Sequence, residues 1–290
     1  MKKLMIAASA ALCAAVSMAV ESANVVGYAT RDINNKFKMA AAQFETVTGE
    51  TVSLNGAVTL PSSVAVQCWD DDYESYDYKD GWMDSAPQIQ VPKVGAVGYN
   101  YYYFISDCRS TIDDSNVGLG WADSSGYLTS DAVPAGFGIW VRGYVNGTED
   151  VDDTTFTFNG AVCGDATQTV QCENMFKLRA LPYPVSASLN DNIANWSALT
   201  PVQCWDDDYE SYDYKDGWMD SAPQIQVPKA GGGYDYYYYI TDCRSTIDDS
   251  NLGTGWADSS GYRATEKIPV AYGIWINART SESVNIPFNM

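Results

Sequence analysis

The sequence predicts an all-β protein, two tandem β-sandwich-like modules behind a signal peptide, and three observations carry that prediction. A 28-residue block, VQCWDDDYESYDYKDGWMDSAPQIQVPK, stands at 66–93 and recurs letter for letter at 202–229. Short runs of Tyr, Trp, Val, Ile and Thr are punctuated by Gly, Pro, Asp and Asn, and no stretch has the period of a long helix. The chain opens on Met1-Lys2-Lys3, an apolar run from Leu4 to about Val16, and Ser17-Met18-Ala19, whose small residues suit a signal-peptidase site.

Taken in order, residues 1–19 form the signal peptide, with cleavage expected after Ala19. The apolar run is shorter than the roughly 20 residues that span a bilayer, and no other stretch predicts membrane insertion. Cys13 follows Leu12, where a lipoprotein signal needs a small residue, so no lipid anchor is expected. The first β-module covers 20–159, a linker with Cys163 and Cys172 covers 160–175, and the second β-module covers 176–290. Similarity extends past the identical block, from 99–127 against 234–262 and from 133–141 against 268–276. The fronts at 37–58 and 176–196 have drifted, keeping little beyond Phe-Lys and Ser-Leu-Asn.

Within each module, Val64 to Trp69 alternates apolar and polar, and Tyr73 to Tyr78 resumes the pattern, so the cluster Asp70-Asp71-Asp72 is expected to cap a hairpin. Tyr99 to Ile105 and Tyr234 to Ile240 are too continuously aromatic for a strand with one wet face and predict central strands. Gly138 to Val141 and Gly273 to Ile276 predict a late core strand, entered from Pro134 and Pro269.

The chemistry is bounded chiefly by what is missing. The chain has no histidine, which removes Ser-His-Asp and Cys-His nucleophiles, the usual catalytic zinc sites and histidine acid–base catalysis. It has no glycine-rich phosphate loop of the G-x-x-x-x-G-K-[ST] type. Carboxylates alone suffice for a glycosidase, but Asp70, Asp71, Asp72 and Glu74 lie in an expected turn and recur as Asp206, Asp207, Asp208 and Glu210. No enzyme and no cofactor are therefore expected. Calcium is the one cation these clusters suit, yet counting from Asp70 places Gly81 where an EF-hand needs its bidentate Glu, and Asp113-Asp114-Ser115-Asn116 is equally irregular. With 37 acidic against 17 basic residues and a net charge of −20, nucleic acid and anionic membrane are poor partners.

Six cysteines follow Ala19, an even number in an exported chain, which predicts disulfides. Cys68 and Cys108 hold the same places as Cys204 and Cys243, so each module is expected to close its own loop, leaving Cys163 for Cys172. Such a bridge is worth about 3–4 kcal/mol in the chain-entropy model. Trp69, Trp82 and Trp121, with their counterparts Trp205, Trp218 and Trp256, are the candidates for a ligand surface, set against the alternative that they pack in an aromatic-rich core.

Asn24-Val25-Val26-Gly27-Tyr28 soon after the signal peptide, then Phe-Lys and Ser-Leu-Asn, then a Pro-x-x-x-Gly-Ile-Trp strand, together span nearly the whole mature chain. In these motifs the sequence resembles uncharacterised secreted two-module β-proteins of the Verrucomicrobia, Lentisphaerae and Planctomycetes type. The resemblance implies export and a β-module, and it brings no activity or site residue. The function expected is that of a secreted, periplasmic or cell-surface, non-enzymatic structural or adhesion protein whose partner is itself or an envelope or extracellular polysaccharide. The alternative is a carbohydrate-binding protein that uses exposed Trp and Tyr with calcium assistance.

Overall fold

A computed structural model describes residues 26–44, 52–70, 77–94, 96–133, 136–145, 154–162, 167–192, 194–206, 213–229 and 231–289. The all-β expectation holds: helices among these residues are single turns, such as Trp82–Ser85 and Trp218–Ser221. The first half builds a five-stranded antiparallel sheet from β2 (Lys38–Ala41), β7 (Gly138–Arg142), β4 (Gln88–Pro92), β5 (Tyr99–Arg109) and β6 (Asn116–Ala122), side by side in that order. The second half repeats it with β10 (Lys177–Ala180), β16 (Gly273–Asn277), β12 (Gln224–Pro228), β13 (Tyr234–Arg244) and β14 (Asn251–Ala257).

Each large sheet is covered on its inner face and over part of its outer face. Inward, Tyr102 and Phe104 of β5 meet Ile89, Ile139 and Val141 and pack on Ile33, Phe156 and Phe158. Those last three come from a smaller sheet of β1 (Val26–Ile33), β8 (Thr154–Ala161) and β3 (Val58–Thr59). In the second half the same role falls to β9 (Thr167–Cys172) and β17 (Val284–Asn289), which supply Val170, Cys172, Ile286 and Phe288, while the short strands β11 (Ala187–Ser188) and β15 (Lys267–Ile268) pair with each other. Outward, Tyr103 and Ile105 lie under a second cluster with Trp69 and Trp82. Alternating side chains on one strand thus fill two layers, which is why the Tyr run of β5 is apolar on both faces.

The two halves meet about a pseudo-twofold axis. Ala40 pairs with Tyr272, and the equivalent Arg179 pairs with Phe137. The Ala41 amide donates to the Ala271 carbonyl and the Ala180 amide to the Gly136 carbonyl, both at 3.0 Å. Trp140 meets its own counterpart Trp275 edge-to-face, with ring centroids 6.0 Å apart. Gly138 and Gly273 are needed here, since a Cβ on either would lie 2.6–2.7 Å from the Arg179 or Ala40 carbonyl oxygen. One contact breaks the symmetry. Buried Gln43 donates to the carbonyls of Leu181 and Tyr183 and accepts from the Ala271 amide, spanning the seam fully bonded.

Two expectations need correction. The span expected to be a linker, 160–175, contains β9, whose alternation places Val170 and Cys172 in the core against β17. Val64 to Trp69 is no regular strand: Ser62–Val64 is a 3-10 turn, and Val66 and Trp69 form single bridges to Ile105 and Tyr78. Trp69 and Tyr78 do pair antiparallel, while residues 71–76, where the capped hairpin was expected, lie outside the described residues. Residues 1–19, expected to be a signal peptide, Pro134 and Cys163 also lie outside them.

Candidate functional site

The identical block and the segment after it together build the outer layer of each sheet. Trp69 stacks on Tyr78 at 4.8 Å, Tyr78 lies 6.2 Å from Trp82, and Trp82 meets Tyr103 edge-to-face at 5.1 Å. The Arg109 guanidinium caps the other side of Trp69 at 3.9 Å. Asp107, at a register shift in β5, fixes the entry of this segment by accepting from the amides of Cys68 and Trp69 at 2.8 and 2.9 Å. The second half repeats each contact: Trp205 on Tyr214 at 4.8 Å, Arg244 on Trp205 at 3.9 Å, and Asp242 on the amides of Cys204 and Trp205.

This arrangement removes the six tryptophans as a ligand surface. Trp69, Trp82, Trp205 and Trp218 are 4–6 % exposed and Trp121 and Trp256 are fully buried, because large rings are what seal the two faces of each sheet. Among the described residues the exposed aromatic rings are Tyr28, Phe37, Tyr78, Tyr101, Tyr214 and Tyr236.

The expected disulfides are not formed in this structure: among the described residues the cysteines Cys68, Cys108, Cys172, Cys204 and Cys243 carry free, buried thiols. Cys68 and Cys108 share one cluster, as do Cys204 and Cys243, so the expected neighbours are adjacent without being bonded. They pack there as small apolar groups, and burial pushes each thiol up to about 12. Cys172 stands where the first half has Ile33, a core position, and its thiol is likewise pushed up to about 12 by burial.

The acidic loops are occupied by their own turns. Asp113 accepts from the amide and hydroxyl of Ser115, and hydrogen bonds from Ser115 and Ser110 hold its carboxyl below the ordinary value. Asp114, at a φ of 57°, accepts from the Tyr127 hydroxyl at 2.8 Å. Asp70 and Asp206 are described, but Asp71, Asp72, Glu74 and their counterparts lie outside the described residues. Among the described residues no cluster of three acidic or cysteine groups could hold a metal, and no helix is long and apolar enough to cross a membrane.

Alternation brings together a set of residues the composition did not single out. On the outer face, Gln90 of β4 pairs with Trp140 of β7 on one side and Tyr101 of β5 on the other. In the second half Gln226 pairs with Trp275 and Tyr236. Because Trp140 touches Trp275, the six form one strip across the pseudo-twofold, Tyr101–Gln90–Trp140–Trp275–Gln226–Tyr236. Tyr101 and Tyr236 are 45 % and 43 % exposed, and the other four are half-buried. The signal lay in period two: Gln90 sits between Ile89 and Val91, and Trp140 between Ile139 and Val141, all four of which face the core. In the comparison with known proteins the chain matches no family model, no curated protein and no solved structure.

Proposed function

We propose that the chain is an exported, non-enzymatic structural or adhesion protein that holds two copies of one outer layer in a fixed relation. The observation that carries this reading is the pseudo-twofold seam, which orders both sheets through paired backbone hydrogen bonds and the Trp140–Trp275 contact. The absence of histidine from the sequence supports a role without acid–base or nucleophilic chemistry. On the two large sheets, contact with a partner uses faces rather than edges. The β2 and β10 edges are engaged by the opposite half, and β6 and β14 are each plugged by an asparagine side chain, Asn55 or Asn190.

In an oxidising compartment the neighbouring thiols Cys68 and Cys108, and Cys204 and Cys243, each close to a disulfide by passing two electrons and two protons to a disulfide-bearing oxidant. Fractionation of cells that make the protein, with intact mass and light scattering on the recovered chain, tests the proposal. The expected product lies outside the cytoplasm, begins after Ala19 and is lighter by two hydrogens for each bridge. A cytoplasmic chain that keeps Met1 and four alkylatable thiols in these pairs overturns it.

A further inference from the structure

We infer that the strip Tyr101–Gln90–Trp140–Trp275–Gln226–Tyr236 is a binding site for one chain of an uncharged polysaccharide laid across the pseudo-twofold axis. The inference rests on the reading of the protein as a non-enzymatic binding and adhesion protein, and it names the partner class. Three features of the strip select that class. In each half it sets a carboxamide between two aromatic rings, and a pyranose presents the complementary pattern, an apolar C–H face flanked by hydroxyls that both donate and accept.

It carries no formal charge in a chain of net charge −20. An anionic polymer is therefore repelled by the surrounding field, and a cationic ligand finds no carboxylate within the strip to pair with. Its length also suits a polymer. Neighbouring strands lie about 4.8 Å apart, which puts about 10 Å of sheet on either side of the central Trp pair. The centroids of that pair are 6.0 Å apart. A site of this extent takes several linked sugars, and a monosaccharide would occupy only a fraction of it.

The two halves contribute the same three residue types although the front segments beside them have diverged, so the site is internally duplicated. Tyr101 and Tyr236 sit at the ends with nearly half their surface in water, where they are free to stack. Trp140 and Trp275 form the floor at the axis. Gln90 and Gln226, cross-strand neighbours of both kinds of ring, supply the hydroxyl contacts.

Affinity electrophoresis of the full mature chain tests this in gels cast with mannan, laminarin or hydroxyethylcellulose, and with alginate as the anionic control. Retardation is expected in at least one neutral gel and not in alginate. The Tyr101→Ala/Tyr236→Ala double variant is expected to bind about tenfold more weakly while unfolding as cooperatively as the parent. Should that variant fail to fold, Gln90→Ala/Gln226→Ala takes its place with the same expected direction. No retardation in any neutral gel, equal retardation in alginate, or unchanged binding by a folded variant overturns the inference. An exported, bridged chain that binds no polysaccharide overturns this site alone, whereas a cytoplasmic chain overturns the reading beneath it.

Discussion

The outer layers of the two halves have kept one geometry, and the inner layers have not. Outside, the Trp–Tyr stacks both measure 4.8 Å and the Arg–Trp contacts both measure 3.9 Å. Inside, the first half closes its core with three strands carrying Phe156 and Phe158, and the second with two strands carrying Ile286 and Phe288 plus an added Trp196. The Trp121 indole N–H donates to the Val58 carbonyl at 2.8 Å. The equivalent nitrogen of Trp256 has no partner, and Trp196 donates to the Leu189 carbonyl instead. An apolar core asks only for volume and pattern, so different residues refill it. The outer layer is tied by directional bonds: Gln67 donates to the Trp69 carbonyl and accepts from Lys79, and Tyr78 donates to the Ser125 carbonyl. Several polar identities in the repeated block therefore have structural reasons, apart from any shared ligand.

The largest expected effect falls where both halves use one device. Asn55 accepts from the Trp121 amide and donates to the carbonyls of Trp121 and Thr129. Asn190 does the same for Trp256 and Ala264. Asn55→Ala and Asn190→Ala are each expected to cost about 2–4 kcal/mol in urea unfolding and to expose a strand edge that promotes association. Costs that differ by more than about 1 kcal/mol would break the equivalence of the two halves. A smaller contrast comes from the inner layer. Trp121→Phe loses a buried hydrogen bond and Trp256→Phe loses none, so the first is expected to cost about 1 kcal/mol more. Equal costs would show that the indole bond contributes nothing to the difference between the cores.

The strands were legible because aromatic runs and period-two alternation survive in a single sequence, as in β5 and β7. The kept Ser-Leu-Asn was visible as a motif, but its purpose was not: Leu54 and Leu189 fill the core while the asparagine bonds a strand 66 residues away, a long-range relation that spacing does not encode. Residue type left the tryptophans open between a ligand surface and a packed core, because it does not say where a sheet face is covered, and here they pack over both faces. For the same reason the Tyr–Gln–Trp strip is not legible in the sequence, since it joins three strands and a seam that only the folded chain brings together. The strand within 160–175 was not legible because Cys172 reads as a bridge partner from spacing, when it occupies a core position filled by Ile33 in the other half.

The smallest expected effect asks whether the paired thiols are as alike as the layers that hold them. Burial raises the folded-state value of Cys68, Cys108, Cys204 and Cys243 from 9.0 to about 12. Below the unfolded value both states keep their protons and the stability is fully present. As pH rises above it, the unfolded chain releases protons that the folded chain retains, so stability falls progressively toward the folded value. At pH 9 the loss is about 0.4 kcal/mol per thiol. Under reducing conditions, the drop in urea midpoint between neutral pH and pH 9 should shrink equally in Cys68→Ala/Cys108→Ala and in Cys204→Ala/Cys243→Ala, with tyrosines and lysines cancelling in the difference. Unequal shrinkage would mean that the two clusters exclude water to different degrees despite their matching ring geometry. In the oxidised protein the same substitutions should leave the alkaline drop unchanged, because bridged sulfurs have no proton to lose.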